Sequence, residues 1–199
     1  SIFKTLDTLL KRPEGALEES PYRIFIGAIL CYAAYAVVAG LFQGGWAVAL
    51  ATMKVPMIIL GSVLLCVPSL YVFTALAGAE YSADRFAKCL AGFCGIAGLV
   101  LVGLMPVVWL FSVSTISLPF VVWLHAFVWL TALAFARRFL LRFAAPAGSV
   151  TALWVILLFV VSLQMATHLR PVLWREPGEP LFHPEKKSFF THLHEVSKN

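Results

Sequence analysis

Two histidines, His125 and His168, are the residues best placed to do chemistry in this 199-residue chain. Each lies in or at the end of a long hydrophobic block, and an imidazole there can ligate a haem, a chlorin or a metal. Gln164 and Met165 fall near the level of His168. A plainer account makes one histidine interfacial and leaves the other hydrogen-bonded within its helix. That account is preferred, so His125 and His168 are candidate cofactor ligands but no cofactor is expected. His192 and His194 would share one face of a strand, not of a helix.

Other chemistry finds little support. Cys31, Cys66, Cys89 and Cys94 lie in or near hydrophobic blocks, with no zinc-type CxxC spacing. They read as small apolar side chains. GxSxG, Walker and HExxH patterns are absent. Ser62, Ser69 and Thr74 should bond back to their own helix. An intramembrane hydrolase would need a paired base, and none is evident. Glu80 and Asp84 sit at a block edge, and no acid lies mid-block. Proton relays and cation pathways normally need such a group. The expectation is therefore a protein that is not an enzyme.

The elements that would position these residues are five hydrophobic blocks: Tyr22–Phe42, Val55–Ala79, Phe86–Phe111, Pro119–Phe139 and Val150–His168. Each can cross a hydrocarbon core about 30 Å thick, which takes about 20 helical residues. With 61% hydrophobic residues, the chain is far more apolar than a soluble domain. The expected fold is all-α: an integral membrane bundle of five transmembrane helices. Short interfacial helices are expected at the N-terminus and in the C-terminal tail. Residues 1–20 form a cytoplasmic amphipathic segment, 21–168 the membrane domain, and 169–199 a Pro-rich extracytoplasmic tail. No secretory signal is expected at the start, since Ile2–Arg12 is amphipathic and lacks a small-residue cleavage pattern.

Charge sets the orientation. The net charge of +5 marks topology and not nucleic-acid binding. Lys4, Lys11, Arg12 and Arg23 precede the first span. Arg85 and Lys88 lie between spans two and three, and Arg137, Arg138 and Arg142 between spans four and five. The other two breaks, Gln43–Trp46 and Ser112–Ser117, carry no Lys or Arg. The positive-inside rule then places the N-terminus in the cytoplasm and the tail outside, although the tail is also basic. The expected location is the bacterial inner membrane.

Local pattern adds detail. Ile2, Phe3, Leu6, Leu9 and Leu10 share one helical face, as an interfacial anchor requires. Small residues mark close helix packing: Gly27 with Cys31, Ala36 with Gly40, and Gly40 with Gly44 on the first span. Ala87, Ala91, Gly95 and Gly98 form a nearly continuous small face on the third, which should be the central helix. Leu99 and Val100 are expected to face lipid. In the second block, Trp46–Met53 reads as an interfacial lead-in and Lys54 as a snorkelling side chain. Pro56 should open that helix near its first turn, and Pro68 should kink it. No internal repeat is present.

The run Tyr32–Gly45, then Lys54-Val55-Pro56 and Pro68-Ser69-Leu70-Tyr71-Val72, resembles bacterial relatives of the Yip family. The resemblance covers about residues 20–145. It implies five spans, a cytoplasmic N-terminus and a non-enzymatic role. Eukaryotic members bind Rab-type GTPases. Their DLYGP-like motif is absent here, so that binding does not carry over. The expected function is a scaffold or accessory subunit of a membrane complex, with the bilayer and other membrane subunits or a second copy as partners. The alternatives are a channel or transporter for a neutral or lipidic solute, and a cofactor-binding subunit.

Overall fold

The computed structural model describes residues 2–11, 19–42, 45–76, 78, 82–143 and 148–168. Six helices account for almost all of them: α1 (Ile2–Lys11), α2 (Pro21–Gly40), α3 (Trp46–Leu76), α4 (Ala83–Ser114), α5 (Leu118–Phe143) and α6 (Gly148–His168). There is no strand among the described residues. Helices α2 to α6 are long and apolar enough to cross a membrane. The tail after His168, with its expected helix, and Gly44 lie outside the described residues.

Helix ends follow local chemistry. Pro21 begins α2, where its missing N–H costs nothing. The Ser82 hydroxyl accepts from the Arg85 amide at 3.3 Å and caps α4, with Asp84 in the favourable first turn. The Thr115 hydroxyl oxygen accepts from the Ser117 amide in the link to α5.

One sequence expectation fails in α3. Pro56 does not open the helix. The helix starts ten residues earlier, at Trp46, and runs 31 residues through both Pro56 and Pro68. In a packed apolar setting, neighbouring helices and hydroxyl groups offset the lost backbone hydrogen bond. Trp46–Met53 is thus the start of the helix itself.

The five long helices pack in cyclic order, α2 against α3, α3 against α6, α6 against α5, α5 against α4 and α4 against α2. Chain direction follows from paired contacts. A Cβ on Gly95 would meet Ile24, and one on Gly98 would meet Ala28 and Cys31, so α4 runs parallel to α2. Gly92 lies against Phe139, which makes α4 and α5 antiparallel.

None of the described helices is central, in contrast to the role expected for α4. Side chains fill the middle. Trp154, Tyr32 and Phe93 are among the largest fully buried residues. Trp154 donates to the Cys66 carbonyl at 2.9 Å and meets Phe93 edge-on at 5.2 Å between ring centroids. It joins α6 to α3 and α4 across the interior. The Tyr32 hydroxyl donates to the Cys94 carbonyl at 2.7 Å, tying α2 to α4.

The outside of the ring is apolar. Leu64, Leu65, Leu76, Trp109, Phe127 and Ile156 are among many large side chains left exposed. Such a girdle suits lipid, since soluble monomers rarely expose large apolar patches. α1 caps one end of the ring, packing on α2 and α4. Leu9 is buried there, clustered with Ile24, Ala91 and Phe139. Leu9 therefore packs into the bundle, beyond the interfacial role expected of this face.

Candidate functional site

The described carboxylates, Asp7, Glu19 and Asp84, all lie on α1, before α2 or at the start of α4. That end of the ring also carries Arg23, Arg85, Lys88, Arg137, Arg138 and Arg142. Its ion pairs are local: Lys88 with Asp84 at 2.8 Å, Lys11 with Asp7 at 2.9 Å and Arg23 with Glu19 at 3.8 Å. Exposed pairs of this kind add little stability. Arg137 also donates to the Gly148 carbonyl at 2.8 Å, holding α5 to the start of α6.

Besides Tyr32 and Trp154, bonded to carbonyls of neighbouring helices, and Arg137 Nε, buried without a partner among the described residues in the second half of α5, the buried polar groups of the spans fall into two kinds. Several hydroxyls return to their own helix. Ser62 donates to the Ile58 carbonyl, Ser69 to Cys66, and Thr74 to Leu70 and Tyr71. Ser162 donates to Leu158 in the same way. These are the backbone bonds that the sequence anticipates for Ser62, Ser69 and Thr74.

The second kind gathers in the half of α5 that precedes its midpoint. The Tyr35 hydroxyl and His125 Nδ1 lie 2.6 Å apart, with the rings edge to face at 5.7 Å. This bond links α2 to α5. His125 Nε2 is buried and has no hydrogen-bond partner among the described residues, and the same is true of Trp129 Nε1 one turn further along α5. Nearer the α4–α5 link, the Ser112 hydroxyl oxygen is a further buried atom without a partner. Lys54 is buried, at 8% exposure, and engaged with another group of the protein. It does not snorkel as the sequence suggested, because α3 turns this residue inward.

The predicted site residues are distributed as follows. His125 is engaged by Tyr35. His168 ends α6, which neighbours α5, but its side chain lies outside the described residues. No group of three or more His, Cys, Asp or Glu residues with metal-binding geometry occurs among the described residues. The four cysteines are free and buried.

Gly27, Gly40, Ala91, Gly95 and Gly98 are buried, and Ala87 is half-buried. At Gly98 a Cβ would sit 3.0 Å from the Cys31 Cβ, and at Gly95 only 2.7 Å from Leu9. The face of α4 carrying these residues meets α2 and α1. Gly92, which the sequence analysis did not single out, makes a still closer approach to the Phe139 ring. Leu99 and Val100 do not face lipid; both are half-buried and pack on the core clusters.

Sequence reasoning also missed Tyr35 and Trp129 as partners in the polar cluster. The i, i+4 spacing of His125 and Trp129 was the available signal. No family model, curated protein or solved structure matches the chain.

Proposed function

We propose that this chain is a non-enzymatic, multi-pass protein of the bacterial inner membrane, acting as a scaffold or accessory subunit of a membrane complex. The observation that carries the reading is the filled centre of the ring. Trp154, Phe93 and Tyr32 occupy the interior and bridge four helices. A bundle locked in this way offers its outer surface, and not a central path, for function. Glycine-lined contacts between α2 and α4 add to its rigidity.

The docked α1 supplies one partner surface. It leaves Lys4, Asp7 and Lys11 exposed at the basic end of the bundle. By the positive-inside rule this end is cytoplasmic and the C-terminal tail lies outside. The Yip-like pattern supports the same span count and orientation, and membership of that family is part of the proposal.

Blue-native electrophoresis after mild extraction tests the reading. A complex well above the monomer mass is expected, whether with other subunits or with further copies. A lone monomer would sink it. Transport of a neutral or lipidic solute is the second reading, favoured by Pro56, Pro68 and Pro106 inside α3 and α4. Solute flux in liposomes would establish it, and tight liposomes would remove it.

A further inference from the structure

We propose that the buried donors on α5 bind the carbonyl oxygen of a lipid-soluble molecule, such as a quinone ring or an acyl ester. The site is built from Tyr35, His125 and Trp129.

The tautomer of His125 follows from bond strength. The Tyr35 hydroxyl is buried and lies 2.6 Å from His125 Nδ1. Either tautomer leaves one donor proton of the pair unmet, but a phenol is the stronger acid and an imidazole nitrogen the stronger base, so O–H···N is the better bond. The hydroxyl therefore donates, Nδ1 accepts, and the neutral ring carries its proton on Nε2. That proton has no acceptor among the described residues. Nor does the indole N–H of Trp129, which can only donate and is 9% exposed.

Two orphan donors one turn apart on the same helix thus face an unmet need. Water is scarce inside a bilayer-embedded bundle, and each unpaired group there is costly. The missing element is an acceptor, and the described carboxylates lie on α1, before α2 or at the start of α4. A carbonyl oxygen has two lone pairs and no proton of its own, so it meets the need of either donor. A ligand soluble in the bilayer can reach such a site from the lipid. A protonated Nε2 is unable to ligate metal, so this chemistry differs from axial ligation of a haem.

The test uses the full chain in nanodiscs of ether-linked phospholipid, which contain no ester carbonyls. Decylubiquinone and a dioctanoyl glycerol are titrated separately, with decylbenzene as the control lacking a carbonyl. One or both carbonyl probes should raise the melting temperature saturably, while decylbenzene should not. A shift with only the quinone names a quinone as the ligand, and one with only the glyceride names an acyl lipid. Trp129→Phe keeps an aromatic side chain and removes the donor. It should weaken binding about three- to tenfold, the worth of one hydrogen bond. Trp123→Phe, at an exposed position, should leave binding unchanged.

A second readout does not depend on the variants folding. In 15N-histidine-labelled wild-type protein, the Nε2–H resonance of His125 should move with the bound probe. The proposal is overturned if neither probe exceeds decylbenzene, if Trp129→Phe binds as tightly as wild type, or if the His125 resonance stays fixed at saturating probe. The last result would mean that a water satisfies the donors.

Discussion

Single atoms decide how close the helices come. A Cβ on Gly95 would lie 2.7 Å from Leu9 and 2.9 Å from Ile24, whereas one on Gly103 would meet nothing within 4 Å. Gly95→Leu should therefore cost roughly 1–3 kcal/mol through overpacking. Gly103→Leu should be close to neutral, because that face is open. Melting temperatures of the purified variants check this, and equal behaviour would contradict the packing. Val100 is unsuitable as a lipid-facing control, being half-buried against the core. A smaller effect is expected at Tyr32→Phe, which deletes one 2.7 Å bond to the Cys94 carbonyl. Hydrogen bonds between helices in lipid average about 0.6 kcal/mol, so a loss of about 1 kcal/mol or less is expected. A loss several times larger would point to a wider network around that hydroxyl.

Among the elements, α1 is the one held by the fewest contacts. The Thr5 hydroxyl reaches Glu19 only at 3.4 Å, so the main attachment is Leu9 in its apolar cluster. Leu9→Asp would bury a charge without a partner at that point. The helix should then release while the ring, held by its own core, stays folded. Trypsin cleavage at Lys11 should accelerate several-fold, with little change in the helical circular dichroism of the rest. Unchanged cleavage would show that α1 is held by other means. α3 carries a different lesson. The sequence places Pro56 at the first turn and a kink at Pro68, yet the helix starts at Trp46 and runs through both. Each proline removes one backbone hydrogen bond, and packing on α2 and α6 outweighs that loss.

For the molecule as a whole, orientation and thiol access give one combined test. All four cysteines are buried. The wild-type protein should resist an impermeant maleimide until denatured, when all four thiols should react. In a background without native cysteines, Ser20→Cys should stay unlabelled in intact cells and Lys186→Cys should react. The opposite pattern would reverse the charge-based topology. Rapid labelling of the native wild type would mean that the ring interior is open to water.

Much of the architecture was legible from sequence because the bilayer imposes a simple requirement. A helix must be apolar for about 20 residues, and five blocks met it. Small residues at spacings of three and four revealed which faces allow close approach, and the face carrying Gly95 and Gly98 does pack on α2. Periodicity ran out where every face is apolar. Val100 and Val107 look alike to a hydropathy pattern, yet one packs on the core and the other is exposed. The order of helices around the ring, the inward turn of Lys54 and the meeting of Tyr35 with His125 are tertiary facts. Tyr35 and His125 lie 90 residues apart, and no local propensity links them. Sequence determined which segments are apolar enough to cross a membrane, because transfer free energy is a property of each residue. Tertiary structure alone decided which polar atoms meet there and which stay unpaired, because hydrogen bonding depends on the relative placement of whole helices.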